Sequence, residues 1–99
     1  MKITQYGQTY EVTAKRTRYM NNGNLAIILT CEDGTAYGNL TVNLTNYSLP
    51  EDMAYVDTNN MPQAEEFIKA NGLGLPQHET MQSGFCTYPL YKFDLNKLN

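Results

Sequence analysis

Short runs of alternating apolar and polar residues, each closed by a turn former, fill the first half of the chain and restrict it to antiparallel sheet. Lys2 to Tyr6 breaks at Gly7-Gln8, and Thr9 to Tyr19 ends at Asn21-Asn22-Gly23-Asn24. Leu25 to Cys31 ends at Glu32-Asp33-Gly34, and Thr35 to Leu44 runs into Thr45-Asn46-Tyr47-Ser48. Asn22-Gly23 and Asp33-Gly34 tolerate the positive φ that tight hairpin turns need. Strands of this length at this spacing predict a meander. Leu40, Val42 and Leu44 fall on one face and Thr41 and Asn43 on the other, so the sheet is expected to bury one side and leave a wet face as a candidate binding surface.

The second half holds less regular pattern. Met53 to Asp57 reads as a fifth strand, and Pro62 to Asn71 as a helix. Asn60 with Gln63 three residues later fits a capping box, Glu65 and Glu66 suit the positive first turn, Lys69 suits the last, and Gly72 supplies a left-handed stop. Ala64, Phe67 and Ile68 share one helical side and should lie on the sheet. Residues 72 to 84 show no periodicity and read as a mobile loop. Phe85 to Phe93 reads as a last strand, with Phe85, Tyr91 and Phe93 on one face, and Pro89 argues for a sheet edge or bulge there. The expected fold is therefore one α+β domain over 1–99: an antiparallel sheet of five to six strands with the helix packed on one face.

Composition narrows the function classes. With 99 residues, 41% hydrophobic and 17% charged, the chain can build one core and is too apolar for disorder. Its longest apolar run, Leu25 to Leu29, is far short of the ~20 residues that span a bilayer, and the N-terminus lacks an export pattern, so a cytoplasmic location is expected without membrane contact. The triplets beginning at Asn39, Asn43 and Asn46 match a glycosylation acceptor, but without export they carry no weight. Four basic and three acidic residues occupy the first fifty positions and three and seven the rest, for a net charge of -3. Such a balance lacks the positive field of a nucleic-acid binder.

Residues able to carry chemistry are few. His78 is the one histidine, and Cys86 eight residues later is its conceivable thiolate partner. Nothing fixes a loop imidazole against a strand thiol, so His78 reads as solvated and Cys31 and Cys86 as packed, reduced thiols. Asp57 beside Asn59 and Asn60 has too few oxygens at the wrong spacing for calcium, and reads as an Asx turn ahead of the helix. The acidic pairs Glu32-Asp33, Glu51-Asp52 and Glu65-Glu66 are adjacent and so point apart. No metal or cofactor site is expected. Lys15, Arg16 and Arg18 form the one basic cluster, with Tyr10 and Tyr19 nearby, an arrangement that could stack single-stranded bases. Alternation sends Lys15 to the face opposite Arg16 and Arg18. Eight tyrosines and no tryptophan suit both a small core and a protein interface.

The segments LAIIL (25 to 29), LTVNL (40 to 44), AYVDTNN (54 to 60) and SGFCTYPLYKF (83 to 93), in that order, resemble a family of small uncharacterised proteins, a domain of unknown function encoded on phages and conjugative elements of gut Firmicutes. The resemblance implies a bacterial or phage cytoplasmic setting and carries no established activity or site residue. It is also consistent with binding to a protein of the host or the element, a common mode of action for such small products. The expected function is thus a non-enzymatic accessory or inhibitor-type protein acting by protein-protein interaction through the wet sheet face, the 72 to 84 loop, or both, with Tyr10, Arg16, Arg18, Tyr19 and His78 as the candidate surface residues. A single-stranded nucleic-acid module is the alternative, and a small enzyme using His78 and Cys86 a further one. Oligomeric state is not readable.

Overall fold

The computed structural model describes residues 1–99, and the alternating runs of the first half form its first four strands. These are β1 (Lys2–Gln5), β2 (Gln8–Arg18), β3 (Leu25–Cys31) and β4 (Ala36–Asn39), an antiparallel meander in the order β1-β2-β3-β4. Tyr6 and Gly7 both have positive φ, 50° and 78°, and form a two-residue loop between the paired Gln5 and Gln8, the geometry of a type I′ turn. At the next turn but one, Asp33 accepts hydrogen bonds from the Thr35 amide at 3.0 Å and its hydroxyl at 2.6 Å, an Asx turn. These bonds hold the Asp33 carboxyl below the usual carboxylate range.

The expected single sheet is two sheets of four strands. The second has the order β5-β6-β8-β7, built from β5 (Thr41–Val42), β6 (Met53–Val56), β7 (Gly74–Ser83) and β8 (Cys86–Phe93). Leu40 is the corner between them. Its amide donates to the Ile27 carbonyl of the first sheet at 2.9 Å, and its own carbonyl accepts from the Asp57 amide at the end of β6, also at 2.9 Å. One strand thus changes sheets by bending, as strands do at sandwich corners. The bend also breaks the expected common face: Leu40 is fully buried in the main core, whereas Val42 and Leu44 pack against a second cluster.

The helix α1 (Ala64–Asn71) lies between β1 and β7, the outer strands of the two sheets, and shuts the core that the sheets enclose. Ala64, Phe67 and Ile68 are buried as the periodicity demands, among Ile3, Val12, Leu25, Ile27, Leu29, Val56, Tyr91 and Phe93. Its C-terminus is a Schellman motif. Gly72 at φ 61° donates to Lys69, and Leu73 donates to the Ile68 carbonyl at 3.0 Å while both side chains are buried. The N-terminus departs from expectation: the helix starts at Ala64 rather than Pro62, and Gln63 precedes it without a side-chain cap. Asn60 does not act as the cap because its amide and side chain both donate to Asp57, at 3.2 and 3.0 Å.

Residues 74–83, expected as an irregular loop, form β7. The pattern is unreadable because this edge strand packs little on either face, and pairing shifts between Pro76 and Thr80, so Gln77, His78 and Glu79 form a bulge. His78 takes φ 58° there. Pro89 lies on β8, an interior strand rather than an edge. It is tolerated because β6 pairing stops at Leu90 and Pro89 opposes Thr80 at the limit of the bulge.

Candidate functional site

The five residues expected to share a surface do not converge. Tyr10 and Arg18 are eight residues apart on one extended strand, roughly 26 Å at about 3.3 Å per residue. Tyr10 packs its ring on Tyr37, with centroids 5.4 Å apart, and donates to Gln8. Arg16 is exposed near the chain end, its amide bonded to the Asn99 carbonyl. Arg18 donates from Nη1 to the Glu51 carbonyl at 2.8 Å. Tyr19 is half-buried, its hydroxyl 3.0 Å from Thr41 Oγ1, and burial, aided by the Asp57 charge, raises its pKa. His78 stands on the other sheet. From Ser83, which pairs with Cys86, His78 is five residues away, roughly 17 Å along β7, so the imidazole and thiol form no couple. Both cysteines are half-buried instead of fully packed, because each sits at the end of its strand.

The wet face of the first sheet is present but featureless. Thr9, Glu11, Thr13, Lys15 and Thr17 line it and are exposed. Where the chain turns from β2 to β3, polar groups are consumed internally. Asn24, only 3% exposed, donates to Thr45 Oγ1 and the Tyr47 carbonyl, both at 3.1 Å, and accepts from the Leu49 amide at 2.7 Å. Asn22 donates to the Thr45 carbonyl and to Asn43. The segment 43–49 is thereby fastened over the outer face of the second sheet, where Leu44 and Leu49 cover Tyr55, Tyr88 and Leu90.

The β7–β8 hairpin is the contrasting surface. Ser83 pairs with Cys86 across Gly84-Phe85, and Gly84 alone of the two has positive φ, 62°, the pattern of a type II′ turn. Phe85, expected on one strand face with the buried Tyr91 and Phe93, is instead completely exposed at the tip, and Leu75 near the base is 71% exposed. Only Gly ahead of Phe in Ser83-Gly84-Phe85-Cys86 could have announced the turn. Because the residues flanking a two-residue loop are hydrogen-bonded to each other, alternation turns the backbone of Gln82 and Thr80 outward along the free edge. Pro76, Glu79 and the bulge restrain pairing farther along, as expected of a managed edge.

At the hairpin base, a groove of about 530 Å³ runs between α1 and β7, lined by Glu65, Lys69, Leu75, Pro76 and Tyr91 among others. Tyr91 donates to Glu65 Oε1 at 2.6 Å; burial first, and then this bond to a carboxylate, push its pKa well above the ordinary tyrosine value. No cavity gathers two of Asp57, His78 and Cys86. No group of three or more His, Cys, Asp or Glu side chains is placed to hold a metal ion. No helix is long and apolar enough to cross a membrane.

The comparisons with known proteins agree with the sequence in one respect. A family model described as "Domain of unknown function (DUF4313)" matches residues 13–99. No curated protein and no solved structure matches the chain.

Proposed function

The chain belongs to the DUF4313 family, a domain of unknown function, and from that premise we propose that it is a non-enzymatic accessory or inhibitor-type protein that binds another protein through the β7–β8 hairpin. The observation that carries the reading is the combination on one hairpin of an unpaired strand edge, a fully exposed Phe85 and a largely exposed Leu75. Extended partner segments add to such edges through main-chain hydrogen bonds, and buried aromatic anchors supply most of the affinity at protein interfaces. A phage or conjugative element as source, a cytoplasmic setting and a host or element protein as partner complete the proposal.

The dispersion of Tyr10, Arg16, Arg18 and Tyr19 supports a protein partner over single-stranded nucleic acid, which needs a groove of cations beside stacking rings. The scattering of Asp57, His78 and Cys86 likewise favours binding over catalysis. The test is a quantitative pull-down from the encoding organism, comparing wild type with Leu75→Ser/Phe85→Ser and with Arg16→Ala/Arg18→Ala. A protein enriched by wild type should fall at least tenfold with the hairpin variant and stay within about tenfold with the arginine variant, as rim charges behave. Retention by the hairpin variant would overturn the assignment. Micromolar binding of short labelled single strands at ~150 mM salt, lost with the arginine variant, would favour nucleic acid instead.

A further inference from the structure

A second concave feature lies away from the hairpin, where β1, β4 and the turn before α1 meet. It is a cavity of about 340 Å³ lined by Gln5, Tyr37, Asn39, Asp57, Asn60 and Gln63, with Gly38 and Met61 completing the wall. Its volume is that of several waters, since one water occupies about 30 Å³ of liquid. Asp57 is 8% exposed, and the only protein donors to its carboxylate are the amide and side chain of Asn60. No Lys, Arg or terminal amine lies within ion-pair distance of it; the two ion pairs of the molecule are Met1 with Glu11 and Lys92 with Asp52. A carboxylate this buried is costly without a counter-charge, and one lone pair on each oxygen is already used by Asn60.

Tyr37 supplies the one aromatic ring of the lining, and it is held in place. Tyr37 donates its hydroxyl proton to Gln5 Oε1 and accepts from Gln63 Nε2 at 3.1 Å, and its ring packs on Tyr10. With its Nε2 so committed, Gln63 keeps its carbonyl oxygen as an acceptor. A buried anion, an amide acceptor and a fixed ring suit a planar cation with several N–H donors better than a spherical ammonium.

We propose that the Asp57 cavity is a binding site for a guanidinium group, paired with the Asp57 carboxylate and stacked against Tyr37. A small guanidine compound and an arginine side chain present the same chemistry to this site. The site stands independently of the hairpin.

The test is a titration followed by amide NMR, with methylguanidinium, N-acetyl-arginine amide and methylammonium as probes on the full chain. Methylguanidinium or the arginine amide should give saturable shifts at Gln5, Tyr37, Asn60 and Gln63. Binding of both identifies a site open to small guanidines, and binding of the arginine amide alone identifies a side-chain receptor. Asp57→Asn keeps an oxygen for the Asn60 amide and should weaken binding at least tenfold while the spectrum stays dispersed. Should that variant fail to fold, Tyr37→Leu supplies the same loss by removing the stacking wall. Absence of saturable shifts in the wild type, equal affinity in a folded Asp57→Asn, or methylammonium binding as tightly as methylguanidinium would overturn the proposal.

Discussion

Two hairpin ends of this molecule carry a fully exposed apolar side chain, Met20 beyond β2 and Phe85 beyond β7, yet their surroundings differ in kind. Around Met20 the backbone is tied down: Asn22 and Asn24 spend their side chains on residues 43–49, and Ser48 Oγ donates to the Asn22 carbonyl at 3.1 Å. Around Phe85 the ties are few and local. The Gln82 side chain reaches the Gly84 carbonyl at 3.4 Å, and the strand edge beside it has no partner. Exposure by itself therefore says little about function. What distinguishes the second end is exposure joined to unmet main-chain bonding capacity, which a partner can satisfy.

Asn24→Ala should produce the largest effect. It removes the three side-chain bonds and leaves buried partners, at a cost of about 3 kcal/mol in urea unfolding. A loss below about 1 kcal/mol would mean that apolar packing of Leu44 and Leu49, rather than the asparagines, holds the 43–49 segment, and the contrast between the ends would weaken. Tyr91→Phe, which frees the hairpin base from Glu65, should cost about 1 kcal/mol, the usual net worth of such a bond at a partly exposed site.

The same tyrosine makes stability depend on alkaline pH. Its native pKa is raised, by burial first and then by the bond to Glu65, so folding holds the proton more tightly than the unfolded chain does. The contribution is complete below the ordinary value of about 10 and is lost as pH climbs through the raised native value. Burial also raises Tyr19, Tyr37, Tyr55 and Tyr88. The urea midpoint should hold level from pH 8 to about 9.5, fall beyond 10, and fall less in Tyr91→Phe. The smallest effect belongs to Phe85→Ser. A side chain in full solvent contributes no packing, and its replacement should shift stability by no more than about 0.5 kcal/mol. A larger loss would show that the tip is structural like the other end.

The contrast between the ends also marks how far the sequence was legible. The meander was readable because each of its turns is local: Tyr6-Gly7, one residue ahead of the expected Gly7-Gln8, Gly23 and Asp33-Gly34 act within a few residues of the strands they join. The helix face and the Gly72 stop were readable for the same reason. The division into two sheets was not, since the corner at Leu40 depends on bonds to Ile27 and Asp57, thirteen and seventeen positions away. Nor could Asn24 be recognised as more than a turn residue, because its partners lie more than twenty positions on. β7 escaped because an exposed edge interrupted by Pro76 and a bulge has no reason to alternate. Of the candidate surface, strand periodicity correctly separated Lys15 from Arg16 and Arg18, but it could not show that Tyr19 turns to Thr41 while His78 stands on another sheet.

Hydrogen exchange on the complex with the protein that wild type captures tests the central claim most directly. The account predicts new protection at Thr80, Gln82 and the Gly84-Phe85 tip, with the amides of 22–24 and 45–49 unchanged. Protection confined to the β2 surface around Tyr10, Arg16 and Arg18, with the hairpin exchanging as in the free protein, would contradict it.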